Sequence, residues 1–519
     1  LVKWGGGIMS VYQEITNQYS GYRDYQQEVS TINDKYCQIK KELQPIIDWA
    51  IENDISEEQL PREIVKLSKL TVLDLSNSQI TVLPESIGNL TQLTKLYLCN
   101  NKLTILPESL GKLTQLIELI VQFNELTELP ENIGNLTQLT RLCVGWNELT
   151  ELPESIKKLI KINELRIEEN QLTELPEWIG NLTNLTKLFI CNNEIKELPE
   201  SIGGLIRLNV LCLNNNKVTE LPENISNLKQ LTDLSIAGNK LTELPEWIGN
   251  LTKLTYLSLG HSELTELPEW IGNLTKLTHL YLYSELTELP EWIGNLTKLA
   301  HLYLEHSELT ELPEWIGNLT KLTHLGLGDN ELTELPEGVG NLTKLTYLYL
   351  RNNKLTELPE GIGNLTNLAW LNLSGNKLKT LPQNIGNLTK LTWFKLEGNE
   401  IIALPESFYN LPSKIVEPVV KQVKENIEAK RKEQERLEKE RLEAERKEQE
   451  IREKERLEAE RKEQERLEKE RLEAERKERE RLEKERQEQE RLTREAEYKR
   501  REEAKLVNKA KRFVKGLFG

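Results

Sequence analysis

Sixteen of the nineteen prolines in this chain stand on one ladder. It runs Pro61, Pro84, Pro107, Pro130 and onward to Pro268, then from Pro290 to Pro405. Every step is 23 residues except the one of 22 between Pro268 and Pro290. A fixed period of about 20–50 residues constrains a chain more than local propensity does, because each unit must fold like its neighbours. Around each proline the unit reads L-T-x-L-x-L-x-x-N-x-L-T-x-L-P-E-x-I-G-N-L-T-x. Fifteen full units begin at Leu70, Leu93, Leu116, Leu139, Ile162, Leu185, Leu208, Leu231, Leu254, Leu277, Leu299, Leu322, Leu345, Leu368 and Leu391.

Each place in the unit has a physical task. Leucines at places one, four and six fit a short strand whose inner side is continued by the turns around it. Asn at place nine (Asn101, Asn124, Asn147, Asn170) can satisfy backbone groups in the turn, so stacked units would build an asparagine ladder. Ser stands there at Ser78, Ser262, Ser284 and Ser307, where a hydroxyl can still bond. Proline fixes φ, Glu follows and Gly ends the segment, an order that predicts one short helical or 3₁₀ turn per unit. One unit cannot bury its leucines alone; stacking makes one continuous core. With strands ~4.8 Å apart, fifteen of them would run roughly 70 Å.

These residues are those of the leucine-rich repeat, and the resemblance covers about residues 60–411. The L-P-E-x-I-G-N-L variant resembles the Ras-group proteins (Shoc-like and scribble-like), their plant intracellular relatives and bacterial repeat arms, including those of Roco GTPases. The resemblance implies an α/β solenoid: a horseshoe with parallel strands on its concave face, where a partner protein binds. It departs from two enzymatic relatives. No G-x-x-x-x-G-K-[ST] occurs, so the Roco GTPase domain is missing. No cysteine follows Cys212, whereas bacterial effector ligases need one beyond the array.

Charge separates the chain into two parts. Residues 417–519 hold 34 basic and 31 acidic residues, which leaves 34 basic and 53 acidic in the rest. An acidic body disfavours nucleic acid, whose phosphates are bound by Lys and Arg. No apolar run reaches the ~18 residues of a membrane span, and no secretory signal is visible. Cys37, Cys99, Cys143, Cys191 and Cys212 form no paired cap cluster, so the expectation is a cytoplasmic protein with free thiols. The recurring Asn-Leu-Thr is then a segment of the unit and not a glycosylation site. Met9 is the only methionine. Translation is expected to start there, with Trp4 to Gly7 reading through a bacterial ribosome-binding site.

The variable places carry the candidate site. Place three reads Val72, Lys95, Glu118, Arg141, Glu164, Lys187, Val210 and Asp233 in the first eight units, mostly charged. From the Leu254 unit onward it reads Tyr256, His279, His301, His324, Tyr347, Trp370 and Trp393. Place five adds Tyr281, Tyr303 and Tyr349. Columns of stacked units lie side by side, so these residues predict an aromatic–imidazole stripe for a protein partner, since Tyr and Trp concentrate at binding hot spots. The bland alternative is that aromatics simply pair well across strands. Three consecutive histidines would protonate in a staggered way and make binding depend on pH near 6–7. No metal is expected: column spacing is long for shared ligation and no acidic or thiol ligand joins. No cofactor is implied. Trp178, Trp247, Trp270, Trp292 and Trp315 form an outer ladder, read either as ring packing or as a second surface. Cys191 and Cys212 fall at diagonal places on adjacent strands and read as small residues.

The ends differ from the array. Val29, Ile32, Tyr36, Ile39, Leu43, Ile46, Ile47 and Ala50 keep a helical period, so residues 9–59 are expected to form an N-terminal helical cap. The array then occupies 60–418. Residues 419–504 lack Pro and Gly, and their leucines keep no heptad. Glu435/Lys439, Glu443/Lys447, Glu458/Lys462, Glu465/Lys469 and Glu473/Lys477 instead support an isolated α-helix, with a weak coiled coil or a disordered tail as alternatives. Residues 505–519 are basic and amphipathic. Lys509, Arg512, Phe513, Leu517 and Phe518 would meet an anionic membrane surface or a protein. The resulting expectation is a non-enzymatic scaffold that binds a protein on its concave face, with the helix as spacer. The other reading is a regulator of a small GTPase or another signalling enzyme in trans.

Overall fold

The computed structural model describes residues 23–260, 267–283, 286–473 and 479–515. The expectations placed on Trp4 to Met9 and on Ser262 and Ser284 lie outside the described residues. The same holds for Leu517 and Phe518 and for the side chains of Arg512 and Phe513. Contacts divide the chain into two units, residues 1–426 and 427–519.

In the first unit, fifteen three-residue strands, β1 (Val72–Asp74) to β15 (Trp393–Lys395), pair in parallel in sequence order as one sheet. Register follows the repeat: Val72 lies beside Lys95, and Trp370 beside Trp393. The 23-residue period returns the same residue to the same place one strand on, so every variable place becomes a column. Opposite the strands run short 3₁₀ segments, from Glu85–Asn89 to Glu406–Asn410, each preceded by a ladder proline or, in one unit, by Asn384. The 3₁₀ expectation therefore holds. Leucines at places one, four and six are fully or almost fully buried, except Leu70 in the first unit, which is half-buried against the same uninterrupted core.

Asparagine joins the units. Asn101 Nδ2 donates to Leu75 O (2.9 Å) and Leu98 O (3.0 Å), while its Oδ1 accepts from the Ser78 and Ile80 amides at 3.0 Å. Asn124, Asn147 and Asn170 repeat the pattern. Serine behaves unevenly: Ser78 Oγ accepts from Gln59 Nε2 at 3.1 Å, but Ser307 Oγ is buried without a partner. The expectation that a hydroxyl still bonds there fails at Ser307, because a hydroxyl is shorter than a carboxamide and does not reach the next turn. A second ladder, of threonine, runs at place two. Thr94, Thr186, Thr255, Thr278 and Thr346 each donate a hydroxyl to the carbonyl of the preceding unit.

Helix α1 (Arg23–Glu52) closes the first repeat with Leu43, Ile46, Ile47 and Ala50. Trp49 Nε1 donates to Val82 O at 3.1 Å, and Asn89 Nδ2 to Glu42 O at 2.8 Å. Ile32 is exposed, so the apolar period is used only from about Tyr36 onward. A short helix, α2 (Ile64–Leu67), precedes β1. At the other end α3 (Ser413–Glu473) starts earlier than Val419 and runs through Pro418. Its stripe Ile415, Val419 and Val423 needs a helical backbone on both sides of Pro418 to bury itself beside Phe408 and Leu411. Asn426 Nδ2 then donates to Asn399 O and Ile401 O, both at 3.3 Å, which satisfies the last open turn.

In the second unit α3 continues, and α4 (Arg479–Lys515) follows. Glu443–Lys447 and Glu458–Lys462 pair at 2.7 Å as expected, joined by Glu428–Lys432. Glu435 pairs instead with Arg431, four residues earlier, and Glu465 pairs with Arg461. The side chains of Lys469, Glu473 and Lys477 lie outside the described residues. Leu437, Leu442, Leu457 and Leu492 are exposed.

Candidate functional site

The stripe expected at places three and five exists as two packed columns. Tyr256, His279, His301, His324, Tyr347, Trp370 and Trp393 stand in register on seven consecutive strands, from β9 (Tyr256–Ser258) to β15. Ring centroids along the column are 5.8, 4.2, 4.0, 4.2, 5.8 and 5.2 Å apart, with interplanar angles of 12–32°. In the second column Tyr281 and Tyr303 stack at 4.9 Å and 6°, and Tyr349 leans on Tyr347 at 6.4 Å. Tyr256 bridges the columns, 5.2 Å from Tyr281. All are half-buried except Trp370, which is 36% exposed.

This geometry decides what the wall can offer. Ring faces lie against the neighbouring rings, so the faces are consumed along the column and the edges point away from the sheet. Edges carry phenol hydroxyls, imidazole nitrogens and indole N–H groups: hydrogen-bonding tips on an apolar body. Gly326, between Tyr303 and Tyr349 in the second column, makes the room: a Cβ there would stand 2.5 Å from Tyr303 Cδ1. The sequence reading passed over that glycine, although its place in a column of tyrosines was visible.

The threonine ladder fixes two of the imidazoles. Thr278 Oγ1 gives its hydrogen to Thr255 O at 3.0 Å and so must accept from Nδ1–H of His279 at 2.8 Å. Thr323 Oγ1 likewise donates to Ala300 O (3.0 Å) and accepts from His324 Nδ1 (2.9 Å). In the neutral form both rings therefore carry their proton on Nδ1 and leave Nε2 as the acceptor nitrogen. Burial lowers the pKa of His279, with the Asp233 charge opposing, and burial followed by the His279 charge lowers that of His324. Burial and then the charges of His324 and His279 push His301 down to about 4. The expected window near pH 6–7 therefore moves lower, because desolvation outweighs the ordinary imidazole value. Burial raises Tyr256, Tyr281 and Tyr349 and pushes Tyr303 to about 12, which keeps the phenols protonated.

From Lys95 to Lys187 place three presents charges of alternating sign, and neighbours in this run pair, Lys95 with Glu118 and Arg141 with Glu164. Lys95 Nζ meets Glu118 at 3.1 Å, and Tyr97 OH donates to the same carboxylate at 2.9 Å. Arg166 bonds Glu164 at 2.6 Å and lies 3.9 Å over the Phe189 ring. Alternation of sign down place three was legible and its pairing was not drawn.

Two further expectations resolve here. Cys191 and Cys212 are joined by a disulfide, with Cα atoms 5.7 Å apart. The expectation of five free thiols is corrected: places seven and five of neighbouring units lie within disulfide reach, and only Cys37, Cys99 and Cys143 are free. The outer tryptophans Trp178, Trp247, Trp270, Trp292 and Trp315 pack against the core. Cβ atoms of Trp270 and Trp292 sit over Gly249 and Gly272 of the preceding units, 3.0 and 3.1 Å from where a side chain would start. Among the described residues no group of three or more His, Cys, Asp or Glu could hold a metal ion. No helix among them is long and apolar enough to cross a membrane.

A family model described as a leucine-rich repeat region matches residues 52–125, 187–258, 233–306, 293–376 and 336–413. No curated protein sequence matches the chain. Among solved structures, a leucine-rich-repeat protein of Leptospira interrogans is similar at 34% identity and a TM-score of 0.59, over 65% of this chain and 92% of that one. The plant peptide hormone receptor RGFR1, in complex with RGF2, is similar at 33% identity and a TM-score of 0.56, over 68% of this chain and 59% of that one. The leucine-rich-repeat ectodomain of the Arabidopsis receptor kinase HAESA, in complex with an N-terminally extended IDA peptide hormone, gives 27%, 0.53, 65% and 64%. The chain thus spans less than two thirds of either plant receptor chain.

Proposed function

The chain belongs to the leucine-rich-repeat family, and from that premise we propose that it is a non-enzymatic adaptor whose ring wall captures a protein partner. The observation that carries this reading is the unbroken seven-strand stack from Tyr256 to Trp393, flanked by Tyr281, Tyr303 and Tyr349. Cross-strand pairing alone would be served as well by valine or isoleucine. A wall of rings whose tips hold donors and acceptors at the outer edge is suited to a polypeptide surface, where rigid aromatics give contact area at little entropic cost. The two similar plant receptors are described in complex with peptide partners, which agrees with the reading by analogy.

The remaining parts fit an adaptor. In this reading residues 9–59 cap the array of 60–418, residues 419–504 serve as a spacer, and residues 505–519 dock the far end. The spacer rests on exposed ion pairs such as Glu428–Lys432 and Arg452–Glu448 and on leucines left in water. For the tail, Lys509, Arg512, Phe513, Leu517 and Phe518 would engage an anionic surface, and Phe513→Ala with Phe518→Ala should abolish liposome binding. The test of the main reading is affinity capture with the full chain and with Tyr281→Ala/Tyr303→Ala/Trp370→Ala. A partner recovered by the first and lost by the second supports the wall; equal recovery contradicts it.

A further inference from the structure

Place eight of the unit is held in the left-handed backbone region along the array: φ is 55° at Asn100, 54° at Asn192 and Asn215, and 51° at Asn352. Asparagine and glycine tolerate that region best. The polar residues there also bond one another. Asn100 Nδ2 donates to Asn77 Oδ1 and Asn215 Nδ2 to Asn192 Oδ1, both at 2.6 Å, and Asn192 Nδ2 to Glu169 Oε1 at 2.6 Å. Two consecutive units break this ladder. Phe123 and Trp146 both have φ of 58°, are 49% and 45% exposed, and stack on each other at 5.0 Å and 21°. Bulky rings in the left-handed region are strained, the ladder bonds are lost and apolar surface is left in water. The contact between the two rings and the partial cover of each offset these costs within the fold.

Beside the rings lies a notch. Gly145, at place seven, has no side chain, and an added Cβ would stand 2.9 Å from Glu168 Cδ. Glu168 therefore leans across it, accepting from Gln122 Nε2 at 3.1 Å through Oε1. Its other oxygen, Oε2, is buried without a hydrogen-bond partner. Trp146 is tied to the same residue, its amide donating to Glu168 O at 2.8 Å. Arg166 Nη1 donates to Oε1 at 3.5 Å, while its Nε bonds Glu164 and its guanidinium lies over the Phe189 ring.

We propose that Phe123, Trp146 and Glu168 form a second recognition site, which takes an arginine or lysine side chain of a partner polypeptide. The stack is only two rings long, with both rings about half exposed and, among the described residues, no further ring beside them, and ring faces attract cations. Glu168, paired through Oε1 with Arg166, keeps Oε2 as an acceptor without a partner. The 53 acidic against 34 basic residues outside 417–519 select a basic partner at longer range.

The test is fluorescence anisotropy with labelled Gly/Ser-spaced peptides carrying arginine, lysine or glutamate, titrated with the full chain near physiological salt. Arginine and lysine peptides should bind and the glutamate peptide should not. Phe123→Asn/Trp146→Asn leaves the charge unchanged and should weaken binding about tenfold or more; Glu168→Gln should weaken it as well. Because asparagine suits place eight, the double variant should melt no lower than the parent. Cationic peptides that ignore the double variant reflect general attraction to an acidic surface and overturn the proposal, as does no binding. A melting temperature that falls in the double variant overturns it too, since the rings would then be structural.

Discussion

Replacing Asn353 by alanine should destabilise the array by about 2–4 kcal/mol. The figure comes from its bonds: Asn353 Nδ2 donates to Leu327 O (2.8 Å), Leu350 O (3.2 Å) and Arg351 O (3.2 Å), and Oδ1 accepts from Leu332 N at 3.0 Å. All three of those carbonyls have a second donor, Leu327 O from Asn330, Leu350 O from Asn376 and Arg351 O from the Asp329 amide. They stay satisfied when Asn353 is removed. The Leu332 amide does not, and a buried orphan donor costs about 1–3 kcal/mol; the loss of the remaining bonds at a site only 6% exposed adds about another 1 kcal/mol. Aspartate, of the same size, should be worse at neutral pH, because a buried carboxylate would face three carbonyl oxygens. Its deficit should shrink in acid, where the protonated form can donate. Urea unfolding of parent and variants measures the difference, and hydrogen exchange of the peptide containing Leu332 locates it. Asn353→Ala within about 0.5 kcal/mol of the parent, inside the range of ordinary surface substitutions, would refute the asparagine-ladder argument.

Three other outcomes follow from the site. The histidines are held neutral by burial, so the neutral wall is favoured above the ordinary imidazole pKa of about 6.5, and that preference is lost as pH falls through the folded value of His301, about 4. Partner affinity should be flat from pH 8 through about 6.5 and decline only in stronger acid, as pH falls toward the lowered folded value of His301; an affinity that already changes between about pH 7 and 6.5, or that rises on acidification, contradicts the assignment. Gly326→Ala places a Cβ 2.5 Å from Tyr303 Cδ1 and should weaken partner binding about tenfold by turning that ring off Tyr281, measured by calorimetry against a parent of similar melting temperature. Alkylation of the unreduced, denatured protein should mark three cysteines, Cys37, Cys99 and Cys143, by intact mass, whereas five adducts would mean that Cys191 and Cys212 are not joined.

What the sequence made legible was whatever recurs at the repeat period. The strands, the 3₁₀ segments after Pro84 and its successors and the asparagine bonds of Asn101 all follow from a unit that must stack on itself. The stripe was legible for the same reason: equal places become columns. What escaped was set by side-chain reach and solvent exposure. Nothing in the spacing says that Thr278 uses up its hydrogen on Thr255 O and so dictates the tautomer of His279. Diagonal neighbours such as Cys191 and Cys212 belong to different columns and do not align in the repeat, and Gln122 reaches Glu168 two units on in its own column only because Gly145 between them has no side chain. The strain at Phe123 and Trp146 shows only in the sign of φ.

The central claim is that the rings from Tyr256 to Trp393 are a binding face. Hydrogen exchange of the full chain, free and bound to its captured partner, tests it most directly. Protection should appear on peptides spanning His279–Tyr281, His301–Tyr303 and Tyr347–Tyr349. Protection confined to the 3₁₀ segments around Trp270, Trp292 and Trp315, with those strands unchanged, would contradict it.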